Sequence, residues 1–90
     1  MVIAKTIVCK GKVQGVYYRA STKAKAISIG LTGYVKNKPN GDVVIHVQGN
    51  KATIDQLIEW CHVGSERAVV NNVICTPADI GDYTDFEIIY

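Results

Sequence analysis

Thr6-Ile7-Val8-Cys9-Lys10-Gly11-Lys12-Val13-Gln14-Gly15-Val16-Tyr17-Tyr18-Arg19 passes from one hydrophobic period to another. Ile7 and Cys9 alternate with Thr6, Val8 and Lys10, which is the pattern of a strand with one buried face. Gly11 and Gly15 bracket a loop. Beyond Arg19, the residues Ala20, Ala24, Ile27 and Leu31 recur at helical spacing, and Gly30 stands where a C-cap glycine belongs. The stretch therefore predicts a strand over 6–10, a glycine-bracketed loop, and a helix over 18–29.

Reading outward, 32–37 and 42–48 are expected as a second and a third strand. In the third, Val43, Ile45 and Val47 share one face and Val44, His46 and Gln48 the other. Between these strands, Lys38-Pro39-Asn40-Gly41 suits a type I turn followed by a left-handed glycine, with an Asn-Gly type I′ hairpin as the competing turn. Asn50 can cap a second helix over 51–63, with the stripe Ile54, Leu57, Ile58 and Cys61, ended by Gly64. A fourth strand is expected over 69–75, and Phe86, Ile88 and Tyr90 alternate in a short fifth. The order βαββαβ plus a tail strand calls for two right-handed crossovers. These place both helices on one face of an antiparallel sheet, giving an α+β, ferredoxin-like two-layer sandwich. At 90 residues the chain is read as a single domain, 1–90.

The composition, 48% hydrophobic and 20% charged, is that of a globular chain. A net charge of +2 suits a small anion and lacks the clustered basic stripe of a nucleic-acid binder. Val8, Lys10, Val44 and His46 are the expected open-face residues of the sheet. None is aromatic, so no base-stacking platform and no nucleic-acid partner are expected. No h-region and no apolar span are visible, which points to a cytoplasmic protein without a membrane partner. Cys9, Cys61 and Cys75 are odd in number and share no paired spacing; free thiols are expected, with one disulfide plus a leftover thiol as the alternative. No pair falls at zinc-ligand spacing, and Asp79, Asp82 and Asp85 lack a calcium-loop pattern. With no spare apolar helix face, a monomer is expected.

The loop from Gly11 to Arg19 leads into a helix N-terminus, whose first N–H groups have no internal acceptors and whose dipole favours an anion. Glycines let successive N–H groups converge, and Arg19 can add a fork of donors. Spacing alone is equally consistent with a structural loop whose Arg19 pairs with a surface carboxylate. Cys61-x-x-Gly64-x-x-Arg67 has the spacing of a cysteine phosphatase loop. Cys61, however, falls on the apolar stripe near a helix C-terminus, where the dipole raises a thiol's pKa, so a buried structural thiol is expected instead.

Gly11-x-Val13-Gln14-Gly15-Val16-x-Tyr18-Arg19 resembles the first signature of the acylphosphatase family, the small common-type and organ-type enzymes. Gly33-Tyr34-Val35-Lys36-Asn37, with Gly41-x-Val43 and Gly49 following, resembles its second. Trp60, Gly64-Ser65 and the final Phe86-x-Ile88-x-Tyr90 extend the match over nearly the whole chain. The resemblance implies hydrolysis of acyl phosphates to carboxylate and inorganic phosphate, with no metal and no cofactor. It implies Arg19 and Asn37 as catalytic residues and the backbone of Gln14, Gly15, Val16, Tyr17 and Tyr18 as the phosphate cradle. The implied partner is a small-molecule acyl phosphate, with inorganic phosphate or sulfate as competing anion. Lys38 stands where many relatives carry Ser or Thr after the asparagine, and its side chain is expected in water.

Overall fold

The computed structural model describes residues 1–89, so the expectation for Tyr90 lies outside the described residues. The elements are β1 (Val2–Lys12), α1 (Tyr18–Ser28), β2 (Thr32–Asn37), β3 (Val43–Asn50), α2 (Lys51–Val63), β4 (Val69–Ala78) and β5 (Phe86–Ile89). They form one sheet in the order β4-β1-β3-β2-β5. β1, β3, β2 and β4 pair antiparallel, as the ferredoxin-like reading requires. The tail strand β5 adds to the outer edge of β2 and runs parallel to it, Val35 opposite Ile88.

One face of the sheet and the two helices enclose the core. Ile7, Cys9, Val35, Val43, Ile45 and Val47 meet Ile54, Leu57 and Cys61 of α2, all with no exposed surface. Asn50 caps α2 as expected, its Oδ1 accepting from the Ala52 N–H at 3.0 Å. The end of α1 is also as expected: the Gly30 and Leu31 N–H groups return to Ile27 and Ala26 carbonyls at 3.1 and 2.9 Å, a Schellman closure.

The buried stripe of α1 differs from the expected one. Tyr18, Thr22 and Ala26 face the core, whereas Ala20, Ala24 and Ile27 are exposed. Thr22 tolerates complete burial because its hydroxyl donates to the Tyr18 carbonyl one turn back, at 2.7 Å. A count of apolar residues alone passes over such a position.

The other face of the sheet is less open than its sequence suggests. Segment 79–85 crosses it, held by the Gln48 side-chain amide, which donates to the Gly81 carbonyl and accepts from the Gly81 N–H, both at 2.9 Å. Tyr34 of β2 stacks on His46 with centroids 5.5 Å apart, and Tyr83 packs against both at 5.8 and 5.0 Å. This corrects the expectation that the face is free of aromatic rings, because Tyr34 lies opposite His46 in the β2–β3 register. The rings pack on one another, and His46 is only 8% exposed, so they do not form an open row for stacking bases.

Candidate active site

The loop between β1 and α1 is held in place from below. Val13, Val16 and Tyr18 are buried in the core. The Ser65 hydroxyl, just past α2, donates to the Val16 carbonyl at 2.7 Å. The Tyr18 hydroxyl donates to the Cys61 carbonyl at 2.8 Å and contacts the Cys9 sulfur at 3.3 Å. Of residues 14–18, Gly15, Tyr17 and Tyr18 line the cleft described below, whereas Gln14 and Val16 do not. Gly15 has φ +72°, and open space surrounds its missing Cβ, so glycine is required there by conformation rather than by room. Tyr17 follows at φ 61°, ψ 22° and is the one non-glycine residue in the left-handed region among those described. For a residue with a side chain that conformation costs roughly 1–2 kcal/mol.

Tyr17 is the N-cap of α1 but makes no side-chain capping bond, and no acidic residue stands in the first turn. The first-turn N–H groups have no helical carbonyl within reach, and among the described residues neither the N-cap side chain nor an acidic residue of that turn serves them. Arg19, half-buried, lies in this turn.

β2 delivers Asn37 to the same place. A cleft of about 410 Å³ is lined by Gly15, Tyr17, Tyr18, Arg19 and Asn37, with Val13, Ala20 and Ile88 completing it. Asn37 Oδ1 is buried and has no hydrogen-bond partner among the described residues. Arg19 is the single charged residue of the described lining.

The Gln14 side chain joins the two halves of the site. Its Nε2 donates to the carbonyls of Lys38 and Asp42 at 2.8 and 2.9 Å, tying the cradle loop to the turn that follows Asn37. From the sequence, Gln14 is expected to contribute only its backbone; the signal for a side-chain role is a polar amide between the apolar Val13 and Gly15-Val16. The turn itself is settled: Gly41 N–H reaches the Lys38 carbonyl at 3.1 Å, and Gly41 has φ +97° while Asn40 does not share a positive φ. A type I′ hairpin needs positive φ at both, so the type I reading stands. Lys38 is exposed and outside the cleft lining. Asp42 is anchored by the Lys10 ammonium at 2.7 Å, which holds its carboxyl below the usual range.

The cysteine phosphatase spacing does not assemble. Cys61 is fully buried in α2, its thiol pushed up by its hydrogen bond with Cys9 and by burial, and Arg67 is exposed. All three cysteines are free. Among the described residues, no group of three or more His, Cys, Asp or Glu is placed to hold a metal, and no helix is long and apolar enough to cross a membrane.

The sequence model of the acylphosphatase family matches residues 5–88. An acylphosphatase of Marinobacter nauticus is 51% identical over 82 residues, covering 89% of this chain and 88% of that one. The acylphosphatase structure from Coxiella burnetii superposes with a TM-score of 0.94 at 38% identity, over 98% of this chain and 93% of the other. That from Bacillus subtilis gives 0.95 at 28% identity, with both chains fully covered. With the family's fold, its sequence pattern over nearly the whole length and a relative 51% identical over 82 residues, the chain belongs to the acylphosphatase family, enzymes that hydrolyse acyl phosphates.

Proposed function

We propose that this chain cleaves the carboxyl–phosphate bond of acyl phosphates without a metal or cofactor, using Arg19, Asn37 and the backbone of residues 14–18. The observation that carries the residue assignment is Asn37 Oδ1, a buried acceptor without a partner among the described residues, in the cleft that Arg19 also lines at the start of α1. A buried carbonyl oxygen left unbonded is costly, and one bordering a polar cleft is suited to accept from a water.

An acyl phosphate is a mixed anhydride. Its leaving carboxylate has a conjugate acid of pKa about 4, so it departs without a general acid. Water oxygen bonds to phosphorus as the bond to the carboxylate oxygen breaks with its electron pair. The dianionic acyl phosphate and water thus become a carboxylate and dihydrogen phosphate, with charge conserved. A loose phosphoryl-transfer transition state asks mainly for charge stabilisation and alignment. Backbone N–H groups and the Arg19 guanidinium supply donors to the phosphoryl oxygens. Asn37 orients the water; an amide is too weak a base to remove its proton, so its part is positional. Inorganic phosphate and sulfate compete for the same donors. The active unit is a monomer in the cytoplasm.

The test is phosphate release from benzoyl phosphate with a strong chelator present. Turnover is expected to be unaffected, and loss of it would overturn the metal-free reading. Asn37→Ala is expected to lower kcat with little change in KM; full turnover in that variant would refute the water-orienting role.

A further inference from the structure

The phosphoryl end of the site is accounted for by backbone, Arg19 and Asn37, but none of these distinguishes one acyl group from another. Tyr17 stands apart from them. The residue is 78% exposed, it lines the cleft, and its backbone sits in the left-handed region that a residue with a Cβ adopts at a penalty. Val16 and Tyr18, the other apolar side chains of the cradle, are buried in the core and help to hold the fold. The Tyr17 ring does not: it is outside the buried core and caps no helix. An exposed ring on a strained backbone at the mouth of a site is better explained by function than by folding.

Resting on the acyl phosphate reading, we propose that the Tyr17 side chain is the acyl-recognition surface of this site, and that it favours acyl phosphates with an aromatic ring on the carbonyl. With the phosphoryl group on the backbone of residues 14–18, the acyl half must extend out of the cradle toward solvent. Among the described residues, Tyr17 is the large, exposed, flat apolar group at that rim. Half-buried Ile88 of β5 supplies a second apolar wall of the cleft. An aromatic acyl group gains offset stacking on Tyr17 that a methyl group cannot. Arg19 and Asn37 act on the phosphoryl group and water whatever the acyl group, so Tyr17 sets preference rather than chemistry.

The test compares kcat/KM for benzoyl phosphate with that for acetyl phosphate in the unaltered chain, Tyr17→Phe and Tyr17→Gly. Glycine accepts φ 61° without penalty, so the loop backbone is retained while the ring is lost. The benzoyl-to-acetyl ratio is expected to fall about tenfold in Tyr17→Gly and to persist in Tyr17→Phe, the size of effect expected for one aromatic contact. Taking the ratio within each variant cancels the intrinsic reactivity of the two substrates and any general effect on the cradle. An unchanged ratio in Tyr17→Gly, with both substrates still hydrolysed, overturns the acyl-recognition role and leaves the acyl phosphate reading standing. Failure of the unaltered chain to hydrolyse either substrate overturns that reading and this proposal with it.

Discussion

Replacing Gln14 by alanine removes the bridge between the cradle loop and the turn after Asn37, and the structure sets the size of the effect. Two hydrogen bonds are lost, to the carbonyls of Lys38 and Asp42. Neither carbonyl is orphaned: Lys38 O still accepts from the Gly41 N–H at 3.1 Å, and Asp42 O from the Lys38 N–H at 2.8 Å. The loss is therefore the net worth of two bonds, about 0.5–1.5 kcal/mol each, without the added penalty of a buried unpaired acceptor. One of the two is exposed, so the total should lie near 1–2 kcal/mol. In a domain of this size each kcal/mol corresponds to about 4–8 °C, so Tm should fall by roughly 5–15 °C. The effect on turnover has a separate origin. Arg19 and Asn37 come from different elements, and misplacement by about 1 Å can cost a hundredfold in rate, so kcat for benzoyl phosphate should drop between roughly tenfold and a hundredfold. Thermal unfolding followed by circular dichroism and steady-state phosphate release measure the two effects independently. Gln14→Glu should be worse than alanine, since it sets a carboxylate against two carbonyl oxygens. A lowered Tm with unchanged kcat would refute the positioning role, and a change in neither would refute the bridge itself.

Arg19→Ala should abolish measurable hydrolysis of benzoyl phosphate, since it removes the proposed phosphoryl ligand, which is the charged group of the described cleft lining; retained activity would exclude Arg19 from the site. Asp42, whose carboxyl Lys10 holds below the unfolded value of 3.8, stabilises the fold fully above that pH. Its contribution is lost as pH falls below 3.8 and through the lowered folded pKa, so urea titrations at a series of pH values should show a shallower acid limb in Asp42→Asn. His46→Phe keeps the stacking with Tyr34 and Tyr83 and removes a buried Nε2 that has no partner among the described residues; Tm should rise, by an amount equivalent to about 1 kcal/mol. A fall in Tm would mean that His46 has a polar role on that face.

Periodicity was enough for what depends on periodicity. The α2 stripe of Ile54, Leu57 and Cys61, the Asn50 cap and the inward set Val43, Ile45 and Val47 were all legible because each is a local rule satisfied by the residues that state it. The register of α1 was not, because Thr22 looks polar in sequence and becomes a core residue once its hydroxyl finds the carbonyl of Tyr18. Segment 79–85 has no period, so nothing indicated that Gly81 would dock on Gln48 and close over the sheet. The direction of β5 was hidden too, since a two-residue alternation says which face is buried and not which neighbour a strand takes. Within the site, Arg19 and Asn37 were named through the family motifs; the cleft that both line depends on long-range folding. The strained backbone of Tyr17 was invisible, because only glycine advertises a positive φ in sequence.

Why so small a domain can hold such a site follows from the chemistry asked of it. A domain of this length buries only about 60% of its unfolded surface, leaving little stability to spend on buried ionisable machinery. A carboxylate leaving group removes the need for a general acid, and a loose transition state removes the need for a strong base. What remains to be supplied is a set of fixed donors, and backbone N–H groups are the least expensive to fix, having no side-chain rotamers to order. Their placement comes from residues the fold needs anyway: Val13, Val16 and Tyr18 are core residues, and Ser65 and Gln14 fasten the loop to α2 and to the β2–β3 turn. The cradle is thus rigid as a by-product of core packing. Tyr17, at the rim, is the residue of this loop that lies farthest outside the core, at 78% exposure.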